Sequence, residues 1–148
     1  MKEVVKKIVT ISCRVVSGIG EGEKYVRLGH YEDIFKKLLN GEKPYPGTLN
    51  IHCDINYKEL INICKPEVIP NIEGYGGFYY WYAILENPKL GSNSVRLNVI
   101  VLRPFLSRHK EYVLEIVSNI YLRGYLMLRD GDAIKLSLIC NEECGMQQ

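Results

Sequence analysis

The chain has 148 residues, 47% of them apolar, and a formal net charge of +2 from 19 basic and 17 acidic side chains. That length fits one domain with a real core, and the near balance of charge counts against a nucleic-acid or membrane-surface partner. No window approaches the ~20 apolar residues that a membrane span needs, so a soluble cytoplasmic protein is expected. The five cysteines are Cys13, Cys53, Cys64, Cys140 and Cys144. Their odd number, with no signal peptide, predicts free thiols in a reducing compartment. Cys13, Cys53 and Cys140 lie in apolar runs and read as small core residues. Cys140 and Cys144 lack the second Cys/His pair that a zinc site requires.

Residues 4–16 are rich in β-branched side chains and predict a long strand. Three glycines at alternate positions, Gly18, Gly20 and Gly22, interrupt it, and residues 25–28 resume as strand. Tyr31, Ile34, Phe35, Leu38 and Leu39 follow the spacing of an amphipathic helix over 31–39, which Asn40-Gly41 ends. Residues 48–55 read as a strand, and 57–63 as either a short helix or a covering segment. An aromatic strand over 78–85 and another over 95–102 follow, then an extended segment over 111–116 and a short helix over 119–126. Arg129-Asp130-Gly131-Asp132 supplies a turn into a last strand over 133–139. Several short strands, few helices and many turns indicate a single, mainly β domain, a barrel or a sandwich. Within Tyr79-Tyr80-Trp81-Tyr82, alternation sends Tyr79 and Trp81 to one face and Tyr80 and Tyr82 to the other, so at least one pair belongs to the core.

Two segments carry chemistry. Gly18-Ile19-Gly20-Glu21-Gly22 has neither the spacing nor the βαβ context of a dinucleotide fingerprint, and it lacks the Lys-Ser/Thr pair of a P-loop. It reads equally as a flexible connection or as a loop whose bare backbone approaches a phosphate and aims amides at it. In Pro44-Tyr45-Pro46-Gly47-Thr48-Leu49-Asn50, the prolines stiffen a turn that empties into a strand. Taken alone it is an ordinary proline–glycine turn. Strand alternation nevertheless places Thr48 and Asn50 on one face as a neutral oxygen pair suited to Mg²⁺, which takes few protein ligands besides substrate phosphates.

The order of these segments resembles the archaeal CTP-dependent riboflavin kinases. The resemblance is carried by the glycine loop, Tyr31-Glu32-Asp33-Ile34-Phe35-Lys36-Lys37, the proline turn with Thr48 and Asn50, Glu115-Ile116-Val117, and Asp130-Gly131-Asp132-Ala133-Ile134-Lys135. It spans nearly the whole chain around a divergent middle over 51–94. It implies a six-stranded cradle-loop barrel that transfers the γ-phosphoryl group of CTP to the 5′-hydroxyl of riboflavin, giving FMN and CDP with Mg²⁺ as cofactor. Gly18, Ile19, Gly20, Glu21, Gly22 and Glu23 would form one nucleotide-binding segment, and Ile120, Tyr121, Leu122 and Arg123 a second. Thr48 and Asn50 would be the metal ligands, and Ser107 and Glu115 would contact the flavin, Glu115 orienting the ribityl chain or acting as base.

The chain departs from the pattern at Glu23, where a basic residue is expected; Lys24 follows it. His109, two residues after Ser107, is placed to line the flavin site. A monomer with small-molecule substrates only is expected, and since the chain begins almost directly at the first expected barrel strand, the N-terminal DNA-binding domain that some relatives carry is not expected. Two other functions compete with the kinase: a related barrel that recognises DNA or protein, and a flavin or nucleotide sensor that keeps the pocket without transfer.

Overall fold

In the first strand, β1 (Ile8–Val16), Ile11, Cys13 and Val15 are buried in alternation with exposed neighbours, as the pleat requires. The same logic builds six further strands: β2 (Leu49–Cys53), β3 (Glu67–Ile69), β4 (Phe78–Glu86), β5 (Leu97–Pro104), β6 (Val113–Val117) and β7 (Ala133–Ile139). Helices α1 (Gly29–Leu38), α2 (Tyr57–Ile63) and α3 (Leu122–Tyr125) and a 3₁₀ segment (Pro88–Asn93) connect them. This is a computed structural model, and it describes residues 6–18, 29–93 and 95–141. Ile19, Gly20, Glu21, Gly22, Glu23 and Lys24, the strand expected over 25–28, and Cys144 lie outside the described residues.

All pairings are antiparallel, in the order β4-β5-β6-β2-β1-β7, and β7 returns to β4 to close a six-stranded barrel. One edge of β4 is shared. Its first part (Phe78 to Tyr80) pairs with β3, and its second (Tyr82 to Glu86) with β7. Closure leaves the barrel strands no long free edge.

Alternation sorts the side chains into two cores. Ile11, Cys13, Val15, Leu49, Ile51, Trp81, Val101, Leu114 and Leu136 fill the barrel. Phe78, Tyr80, Ile100, Leu102 and Val117 point outward and are covered by Phe35 of α1, with Tyr31, Ile34, Leu38 and Leu39 around it. The helical stripe of the sequence is thus the face that packs on the barrel wall. Asn40 (φ 57°) and Gly41 (φ 90°) adopt the left-handed conformation that ends the helix. Trp81 is fully buried and donates its Nε1–H to the Cys64 carbonyl at 2.8 Å, so it is a core residue and not a stacking surface.

The expectation of free thiols is corrected. Cys13 and Cys53 are register partners on β1 and β2 with Cα atoms 4.0 Å apart, and they form a disulfide. Cys64, at the end of α2, is bonded to Cys140, just past β7. Spacing along the sequence does not reveal cross-strand register, and register brings the first pair together. Residues 57–63 resolve as a helix whose cap, Asn56, accepts from the Lys58 N–H at 2.8 Å. The helix expected over 119–126 is shorter, since Ser118 Oγ accepts the Ile120 N–H and holds 118–120 as a turn. No helix among the described residues is long and apolar enough to cross a membrane.

Candidate active site

On β2, Leu49, Ile51 and Cys53 face the barrel interior, which sends Asn50 outward, and Thr48 precedes it by one pleat. On β6, Leu114 and Ile116 face inward and Glu115 outward. The β2–β6 register sets Asn50 opposite Glu115. Thr48 Oγ1 donates to Glu115 Oε1 at 2.9 Å. Three polar residues from two distant segments of the chain therefore share one patch of outer wall, and Asn50 and Glu115 are both buried there.

Asn50 Oδ1 is buried and has no hydrogen-bond partner among the described residues. Buried acceptors of this kind are rare and costly, and an amide carbonyl is a good ligand for a hard cation. Thr48 uses its hydrogen toward Glu115 and keeps its oxygen lone pairs. Among the described residues no group of three or more His, Cys, Asp or Glu side chains is gathered to hold a metal. The donor set thus fits an ion that takes two neutral protein oxygens and most of its negative charge from phosphates.

The glycine loop begins at this patch. A Cβ on Gly18 would collide with the Asn50 amide nitrogen, so only glycine lets the backbone pass so close. Val16, two residues earlier, pairs in register with Asn50. Its carbonyl accepts from Arg123 Nη2 at 3.2 Å.

A cavity of about 270 Å³ adjoins the patch, lined by Tyr45, Gly47, Thr48, Ser118, Tyr121 and Arg123 among others. The proline turn and the segment 120–123 thus meet across one space. The Tyr45 N–H donates to the Ser118 carbonyl at 2.8 Å. The rings of Tyr45 and Tyr121 stack with centroids 5.2 Å apart. Arg123 is held by Asp130 Oδ1 at 2.7 Å, and Ser17 Oγ donates to the other oxygen of the same carboxylate. The Ser17 hydroxyl first, and then the Arg123 guanidinium, hold Asp130 below the usual carboxylate range.

Ser107 lies apart, in the loop between β5 and β6, where its Oγ accepts the His109 N–H at 3.1 Å. Both residues are half-buried. The sequence did not single out Arg103, which is buried beneath this loop, or Asp130 as the partner of Arg123. Their signals were faint: one arginine in an apolar strand, and one aspartate that reads as turn chemistry.

Comparison with known proteins bears directly on this arrangement. The family model CTP-dep_RFKase, described as "Domain of unknown function DUF120", matches residues 15–138. The chain belongs to that family. It is similar to the riboflavin kinase of Staphylothermus marinus, with 35% identity over 131 residues, 88% of this chain and 91% of the relative. It is likewise similar to the riboflavin kinase of Methanothermobacter thermautotrophicus, with 35% identity over 129 residues, 85% of this chain and 96% of the relative. The riboflavin kinase of Sulfurisphaera tokodaii is 32% identical over 144 residues, 89% of this chain and 96% of the relative. Family membership makes the chain a kinase, and the family match runs from the end of β1 almost to the end of β7.

Proposed function

We propose that this protein transfers the γ-phosphoryl group of CTP to the 5′-hydroxyl of riboflavin, giving FMN and CDP, with Mg²⁺ held by Thr48 and Asn50. The observation that carries the reading is the patch where Thr48, Asn50 and Glu115 converge beside Gly18, with a buried carbonyl oxygen that no described residue partners.

Phosphoryl transfer asks for positioning and charge neutralisation more than for covalent help. The new bond joins the riboflavin 5′-oxygen to the γ-phosphorus, the bridge to the β-phosphate breaks, and the hydroxyl proton is released. Bound Mg²⁺ supplies neutralisation of the phosphate oxygens. Gly18 and the residues after it would bring backbone amides to the phosphates. Arg123 already sits beside the first residues of that loop, which favours the phosphates or ribose as its target over the base. Backbone groups of Ile120, Tyr121 and Leu122 would read the pyrimidine edge, where an unmade hydrogen bond discriminates strongly. Glu115 would accept a hydrogen bond from the ribityl chain and orient it, and Ser107 would contact the flavin. A loose transition state needs little base assistance, so orientation is the role assigned to Glu115.

The test is incubation with riboflavin, Mg²⁺ and either CTP or ATP, with FMN followed by chromatography. FMN formation with CTP, and little with ATP, is expected. Riboflavin binding without FMN from either nucleotide would point instead to a sensor.

A further inference from the structure

Arg103 is the only buried cation among the described residues. It continues the inward row of β5 after Val99 and Val101 and reaches the mouth of the barrel. There Nη1 donates to the carbonyls of Lys110 at 2.8 Å and Val113 at 2.9 Å, and Nη2 to that of His109 at 3.1 Å. The guanidinium carbon lies 4.3 Å over the ring of Tyr57. The rigid planar fork of an arginine spreads its donors over separate nitrogens, a geometry that the compact ammonium of lysine does not reproduce.

The bonded carbonyls belong to the loop that carries Ser107. His109, whose carbonyl Arg103 binds, donates its own N–H to Ser107 Oγ. Val113, at the other end, opens β6 two residues before Glu115. The outer side of the loop is fixed separately, by Glu111 with Lys58 at 2.6 Å and with Asn56 at 2.9 Å. Its inner side rests on Arg103. The nucleotide half of the patch has other anchors, since Asp130 and Val16 hold Arg123, and β2 carries Thr48 and Asn50.

We propose that Arg103 is a positioning residue for the acceptor half of the site: by binding the carbonyls of His109, Lys110 and Val113 it fixes Ser107 relative to Glu115 and so sets the affinity for riboflavin. The inference rests on the assignment of riboflavin to Ser107 and Glu115. Burial lowers the Arg103 pKa, and Tyr57, then Glu115 and Glu111, oppose that shift.

The experiment compares wild type with Arg103→Lys, which keeps the charge but not the fork. Riboflavin binding is titrated by its own fluorescence, and KM is measured for both substrates. The carbonyls of Lys110, Val113 and His109 are bonded from two separate nitrogens, and loss of that geometry predicts a rise of about tenfold or more in riboflavin Kd and KM, with the CTP KM within about twofold of wild type. A structural role alone would lower Tm without splitting the two substrates. In a double-mutant cycle with Ser107→Ala the two losses should be less than additive, because both act through one loop.

Unchanged riboflavin affinity, or an equal rise in both KM values, overturns the proposal. If Arg103→Lys does not fold, Tyr57→Leu removes only the ring under the guanidinium. It must give the same one-sided shift in smaller measure, and no shift there also overturns the proposal. A wild type that binds no riboflavin overturns the functional reading as well, whereas normal wild-type binding with an unshifted variant overturns this assignment alone.

Discussion

Replacing Asn50 with leucine separates the two roles that a buried amide can have. Asn50 is 9% exposed and its Oδ1 has no partner among the described residues, which therefore leave an unsatisfied acceptor at this position. Such a group costs about 1–3 kcal/mol, and a side chain of similar shape without the oxygen removes that cost. Gly18 lies against the amide and has no Cβ to obstruct the branched replacement. Asn50→Leu is therefore expected to be as stable as wild type or more stable by up to about 1–3 kcal/mol. In a chain of this size that is a rise in Tm of up to roughly 3–9 °C.

Activity should move the other way. Loss of one preorganised electrostatic contact to the transition state costs about a hundredfold to a thousandfold in kcat. FMN production and circular-dichroism melts, each with and without Mg²⁺ and CTP, read both quantities. The Mg²⁺-dependent part of the stabilisation by CTP should vanish in the variant. A fall in stability of more than about 1 kcal/mol with turnover close to wild type would refute the reasoning, because Asn50 would then be a structural amide.

Three further outcomes follow from the same geometry. Gly18→Ala places a methyl group where the Asn50 amide stands, so it should lower stability by about 1–3 kcal/mol through overpacking and displace the proposed metal ligand, with FMN formation falling alongside. Wild-type melting and turnover in that variant would remove Gly18 from the site. Glu111 is held below its usual pKa of 4.5 by hydrogen bonds from Lys58 and then Asn56. A depressed carboxylate stabilises the fold above its ordinary pKa and loses that contribution as pH falls through the folded value, so the stability gap between wild type and Glu111→Gln should narrow progressively as pH falls below 4.5. Denaturant titrations across that range check this, and a gap that widens on acidification would contradict the sign. Disulfides closing loops with separations of 40 and 76 residues should each contribute about 4 kcal/mol on the chain-entropy account. A reductant should therefore lower Tm sharply, and mass spectrometry after alkylation without reduction should leave only Cys144 labelled.

The parts of this molecule that were legible in the sequence are those written in short-range pattern. The stripe from Tyr31 to Leu39 gave α1 and its buried face, because helical period and caps are local. The last strand was bounded correctly by the turn at Asp130 and the alternation of Ile134, Leu136 and Leu138. Thr48 and Asn50 shared a face by alternation alone. By contrast β3, three residues inside a divergent stretch, exists because the first part of β4 has an open edge to pair with. The strand expected to start at residue 95 runs instead from Leu97 to Pro104, because its register is set by β4 along its whole length.

The sequence by itself thus determined the class of fold, the helix, the turn chemistry and, through resemblance, the family, and it put forward a set of candidate site residues. Tertiary structure alone decided closure into a barrel, the pairing of four cysteines, the hydrogen bond from Thr48 to Glu115, the approach of Gly18 to Asn50, and the burial of Arg103 under the loop of Ser107. The physical reason is range. Helical period, alternation and caps act over a few residues and are written in them, whereas register across β1, β2 and β6 joins residues tens of positions apart and depends on how every strand of the closed sheet pairs.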